Sequence, residues 1–172
     1  LLARFPCHEH GSRDLRARYD HDCCLSDELM PITQFALTNS AVTLNVVAYS
    51  TASITPTANR LVLAAVVNVV NASPFVPPEP SLSGNGLTWV TAVTQRYFAS
   101  GGADRGRITI LRAMGGSPTS GRVMLAFSDT AQVGCAWSIS EFASIDSGGT
   151  NGSSAVVQAV GTQNTVAGTS LI

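Results

Sequence analysis

The sequence predicts an all-β protein: an antiparallel β-sandwich, jelly-roll-like, with about nine or ten strands and an irregular N-terminal segment. Three observations predict it. Short apolar runs recur at intervals of roughly 8–15 residues, with turn residues between them. Several runs alternate apolar with polar, the period of two that marks a strand with one buried face. No stretch carries a convincing helical period, and no repeat of fixed length suggests a propeller or a β-helix.

Residues 1–29 stand apart by composition. They hold all three His (His8, His10, His21), three of the four Cys (Cys7, Cys23, Cys24) and ten of the 21 charges. No apolar run of signal-peptide length follows the early Arg, so no signal peptide is read there. Met30-Pro-Ile-Thr-Gln-Phe35 reads as a natural start. The preferred reading makes 1–29 translated upstream sequence or the tail of something else, and 30–172 the β domain. The alternative is a zinc site from Cys7, His8, His10, His21, Cys23 and Cys24, whose thiolates and imidazoles suit that ion. Its spacing matches no structural zinc motif, because adjacent Cys23 and Cys24 cannot grip a tetrahedral ion as Cys-x-x-Cys does. A Cys23–Cys24 or Cys7–Cys23 disulfide finds no better support.

From Met30 the strands follow in order. Val42, Leu44 and Val46 alternate with Thr43, Asn45 and Val47. Thr51–Thr55 alternates small polar with apolar and closes at the Pro56–Asn59 turn. Leu61–Val70 is apolar on both faces and has five Val in ten positions, which predicts a central strand buried on both sides. Asn71–Pro80 holds four Pro, cannot donate a ladder of hydrogen bonds, and reads as a crossover between sheets. Ser83–Gly86 makes a tight turn into a long strand, Leu87–Phe98, with Leu87, Trp89 and Val93 on one face. Ser100–Gly106 is a hairpin loop.

The clearest pattern is 107–142, three runs predicted to form a meander: Arg107–Met114, Arg122–Phe127 and Val133–Phe142. Gly115–Gly121 and Ser128–Gln132 separate them with turn chemistry. Val123, Leu125 and Phe127 share one face, as do Val133, Cys135, Trp137 and Ile139. Beyond Phe142, Asp146–Ser154 is a loop, and 155–160 and 167–172 resume strand character. Because the chain stops on Leu171-Ile172 within a strand-like run, one or two C-terminal strands are expected to be missing.

Composition narrows the function. Charged residues make up 12% of the chain, there is no Lys, and the net charge is −1. Such a surface does not steer towards phosphate or an anionic membrane, and six scattered Arg after Met30 make no nucleic-acid stripe. Leu61–Val70 is too short for the ~20 residues of a membrane helix. With no His after residue 29, the β domain lacks the imidazole for a Ser-His-Asp or Cys-His nucleophile, or for an imidazole metal site. No cofactor is implied.

Of Glu79, Asp104, Asp129, Glu141 and Asp146, only Glu141 follows an inward-facing residue, Ile139, so alternation predicts its partial burial. It is the one candidate catalytic carboxylate; the structural reading pairs it with Arg107 or Arg112 on a neighbouring strand. Asp146 and Asn151 could offer oxygens to calcium, although one carboxylate is thin for a dication. Tyr97 and Phe98, at a strand end beside Gly101-Gly102, are the candidate ligand-binding aromatics, whereas Trp89 and Trp137 alternate with core residues.

At Thr55–Ala65, Gly86-Leu-Thr-Trp89, Arg107–Met114, Ser117–Gly121 and Trp137–Phe142, the chain resembles β-sandwich domains of phage-like and environmental bacterial proteins. These are mostly uncharacterised and thought to be virion-associated or cell-surface. The resemblance spans roughly residues 45–146 and carries over no functional residues. It implies a non-enzymatic structural or attachment module of a virion or cell-surface protein, extracellular or in the virion. Its partners would be copies of itself, other virion or surface proteins, and glycans. The competing expectations are a carbohydrate-active enzyme or its carbohydrate-binding domain, with Glu141 and a second carboxylate across a cleft, and a zinc-binding N-terminal segment on a structural β domain.

Overall fold

The computed structural model describes residues 31–71, 76–98 and 104–162, all within the unit Pro31–Ile172. Eight strands form there: β1 (Thr33–Val42), β2 (Ala48–Ser50), β3 (Leu61–Val69), β4 (Ser81–Ser83), β5 (Val90–Phe98), β6 (Asp104–Ala113), β7 (Met124–Ala126) and β8 (Gly134–Ala143). They make two antiparallel sheets, ordered β1-β8-β3-β6-β5 and β2-β7-β4.

The connectivity is nested. Strand β1 pairs with β8, β2 with β7 and β3 with β6, as if one long hairpin had been folded over itself. The folded hairpin is then stitched by β3–β8 in one sheet and β4–β7 in the other. This is the jelly-roll arrangement with one departure: β5 does not pair with β4 but turns back along β6. The all-β, jelly-roll-like sandwich predicted from the sequence is therefore present, with about eight strands among the described residues rather than nine or ten.

The missing strands have physical reasons. Within Thr51–Thr55 only Ile54 bridges, to Gly121, before Pro56 removes a donor. Residues 155–160 end a 3₁₀ turn (Thr150–Ala155) and then run as coil, leaving Val157 98% exposed. Alternation makes a strand only where a sheet edge is there to pair with. Residues 167–172 lie outside the described residues.

The predicted meander is corrected as well. Strand β6 lies between β3 and β5, β7 belongs to the other sheet, and β8 lies between β1 and β3. Gly115–Gly121 does not reverse the chain; it crosses the sandwich. Asn59 N–H donates to Gly115 O, Thr119 N–H to Asn85 O, and Gly121 exchanges bonds with Ile54. Those partners tie the segment to the other sheet's loops.

Alternation places the core correctly within each run. Val123, Leu125, Phe127, Cys135, Trp137 and Ile139 are buried and pack with Tyr49 from β2 and with Val62, Ala64 and Val66 from β3. Tyr49 meets Phe127 edge-on at 5.9 Å between centroids and Trp137 at 6.3 Å, so one ring from β2 links both sheets. Two details differ from the sequence reading. Strand β3 is buried on its inner face only, because Leu63, Ala65, Val67 and Val69 point outward and stay half-buried. In β5 the register slips between Thr91 and Val93, which puts Val93 opposite outward-facing Ile110 while Leu87 and Trp89 pack on the core.

Candidate functional site

Three connections converge at one end of the sandwich: the β1–β2 loop, the end of β3 and the β7–β8 loop. Val46 and Gln132 exchange backbone bonds, Val133 N–H donates to Val69 O at 2.9 Å, and Phe127 N–H donates to Val47 O at 2.9 Å. A buried polar frame fixes them. Tyr49 Oη donates to Leu44 O and to Gln132 O, the latter at 2.8 Å. Gln132, fully buried, accepts from Asn68 Nδ2 at 2.8 Å and donates to Thr130 O at 2.7 Å. Asn68, also fully buried, reaches Pro78 O on the chain beyond β3. Buried polar groups need such partners, and the carbonyls accepting here come from three connections: Leu44 O before β2, Thr130 O and Gln132 O between β7 and β8, and Pro78 O before β4.

On this frame sits an open cleft of about 350 Å³, lined by Asn45, Asn71, Asp129, Thr130 and Ala131. Asn45 and Asp129 are exposed, and neither side chain is held by a hydrogen bond within the described residues. Ser128 takes φ of 49° to make the turn that presents Asp129, and Thr130 N–H closes it onto Phe127 O.

Glu141 occupies the opposite end of β8, about 23 Å away at the usual strand rise. It is 4% exposed. Thr57 donates to it twice, from N–H at 2.7 Å and from Oγ1 at 2.9 Å, and Arg60 Nη1 donates at 2.7 Å. The Phe35 ring, opposite Glu141 on β1, lies 4.5 Å from the Arg60 guanidinium. Burial pushes the Glu141 carboxyl up, but the Thr57 and Arg60 donors outweigh it and hold the pKa below the usual carboxylate value.

The expected partners Arg107 and Arg112 are engaged elsewhere. Arg107 donates to Pro77 O and Thr94 Oγ1, and Arg112 to the carbonyls of Thr150 and Asn151. The strand neighbours of Glu141 on β8 are β1 and β3, so the arginine comes from just before β3 rather than from β6.

The other described sequence candidates lie in the segment after β8 and at the end of β5. Asp146 Oδ1 accepts from Gly148 N–H within its own turn, while the Asn151 carbonyl faces the Arg112 cation. Tyr97 lies in β5 with its ring across Gly106, where an added Cβ would sit 1.9 Å from the ring. Phe98 is the last residue of β5. Cys7, His8, His10, His21, Cys23 and Cys24 lie outside the described residues. Among the described residues no three His, Cys, Asp or Glu come together as metal ligands, and no helix is long and apolar enough to cross a membrane.

Sequence reasoning missed the cleft. Its one available signal was Asn68, a carboxamide interrupting a valine run, which had to find a buried partner. Asn45 and Asp129 sit in segments read only as alternation and as a turn. No family model, no curated protein and no solved structure matches the chain.

Proposed function

We propose that the chain is a non-enzymatic structural module of a virion or cell-surface assembly, joined to further copies of itself through β1. The carrying observation is that strand, an edge of the sheet among the described residues. It is ten residues long, against a usual five or six, and Thr33–Val42 contains no charge and no Pro. Long edges with unpaired backbone groups are commonly guarded by charge, Pro or bulges. Here the one guard is a bulge between Ala36 and Thr38. The opposite edge, β5, is interrupted twice and carries Arg96.

Pairing two β1 strands antiparallel across a two-fold axis would join two five-stranded sheets into one. An apolar hollow of about 230 Å³ adjoins the C-terminal end of β1, lined by Ala41, Val42, Val67, Val69 and Ala136 among others. It supplies a seat for apolar side chains of the neighbouring copy. Low charge keeps repulsion between copies small. A glycosidase would need two free carboxyl groups facing one cleft, whereas both Glu141 oxygens are engaged by Thr57 and Arg60. The association state of the full chain, with and without lysines placed on β1, tests the proposal.

A further inference from the structure

We infer that the cleft between the β1–β2 loop, the end of β3 and the β7–β8 turn binds a neutral saccharide. This goes beyond self-assembly and depends on none of the residues of β1. The cleft, about 350 Å³, falls in the range of small-ligand sites.

Its chemistry narrows the ligand. Among the described residues the lining offers one carboxylate (Asp129), one carboxamide (Asn45) and one hydroxyl (Thr130), with Asn71, which has an interaction of its own, beside them. A carboxylate accepts from two hydroxyls at once, and a carboxamide both donates and accepts. Together they complement adjacent sugar hydroxyls, each of which gives one hydrogen bond and takes others. An anionic ligand would meet Asp129, the one charged side chain in the lining among the described residues. A dication would find a single carboxylate where calcium takes six to eight oxygens. An apolar ligand would desolvate Asp129 and Asn45 with nothing in return.

The site is also built to hold its shape. Asp129 and Thr130 are fixed by the turn onto Phe127 and by Gln132, and the Asn45 loop is fixed by Tyr49 and by the Val46–Gln132 bridge. With their backbone fixed by buried hydrogen bonds, Asp129 and Asn45 project from set positions, and a ligand has only their side-chain freedom to restrict.

The test uses the full chain on a printed array of neutral and sialylated oligosaccharides. Isothermal titration follows with the strongest-bound glycan. Binding of a neutral glycan is expected, undiminished by EDTA. Asp129→Asn, which keeps a turn-favouring residue, and Asn45→Ala should each weaken it about tenfold or more. Asp146→Asn, in the loop after β8, should bind as the wild type does. A blank array, binding confined to sialylated glycans, loss of binding in EDTA, or wild-type affinity in both cleft variants would overturn the inference. Loss of binding in Asp146→Asn alone would place the ligand elsewhere and overturn it too.

Discussion

Arg60 and Glu141 form a 2.7 Å ion pair that bolts the turn before β3 onto the end of β8. The pair is asymmetric: the Glu141 side chain is 5% exposed and that of Arg60 29%. The carboxylate is thus the committed partner, with Thr57 completing its shell. Removing it leaves Arg60 half-solvated and tolerable, but strips the Thr57 donors of their acceptor.

Glu141→Ala should therefore destabilise the protein by about 1.5–3 kcal/mol, the range for hydrogen bonds to a charged group. The effect should depend on pH. A carboxyl held below its unfolded value contributes stability that is full above the unfolded pKa, about 4.3 for Glu. That contribution is lost as pH falls through the lower, folded value. Urea denaturation of wild type and Glu141→Gln across the acidic range checks this. The gap between them should be widest near neutrality and shrink below pH ~4; a gap constant with pH would refute it.

The Tyr49 hydroxyl serves two carbonyls, Leu44 O and Gln132 O, in two different loops. Burial pushes its pKa up, and nearby Cys135 adds in the same direction, so it remains a donor throughout the neutral range. Tyr49→Phe keeps the ring packing against Phe127 and Trp137 but removes the hydroxyl donor from both carbonyls, leaving each with the Val46 N–H alone. The expected cost is about 0.5–1.5 kcal/mol, that of a lost hydrogen bond whose acceptors keep another partner. Amide hydrogen exchange should show faster opening around residues 44–47 and 130–133 than in the centre of β3. Uniform loosening across the sandwich would contradict the view of Tyr49 as a loop clamp.

Cys135 is buried in β8, paired with Asn68 of β3 and Val42 of β1, and burial pushes its thiol up to about 12. A thiol with that pKa is almost wholly protonated at neutral pH and shielded from reagents. Peptide mapping after iodoacetamide treatment should find Cys135 unmodified in the native protein and modified after denaturation. Native labelling at a rate near that of a free thiol would show that β8 is not seated as described.

How far the sequence could be read follows from the range of each interaction. The inward faces of β7 and β8 were legible because a period of two acts locally, and Val123, Leu125, Phe127, Trp137 and Ile139 carry it without interruption. Which strands pair was not legible. The separators in 107–142 look like hairpin turns, yet Gly115–Gly121 finds its hydrogen-bond partners in Ile54, Asn59 and Asn85, far along the chain. The burial of Glu141 came from alternation; its partner could not, because Arg60 lies 81 residues away and in an unpaired turn. The cleft was the least legible feature. Asn45, Asn71 and Asp129 are ordinary loop residues until the nested topology brings their loops to the same end.

The central claim, association of the protein through β1, is tested most directly by sedimentation velocity on the full chain beside a variant carrying Ala36→Lys and Asn39→Lys. Both positions are exposed and lie opposite Ser140 and Ser138, on the face of β8 turned away from the core. Lysines there leave the core intact and set like charges against each other across a β1–β1 pairing. The wild type should sediment as a dimer or larger species and the variant as a folded monomer with an unchanged far-UV circular dichroism spectrum. A wild-type monomer at all concentrations, or a variant that associates as the wild type does, would contradict the account.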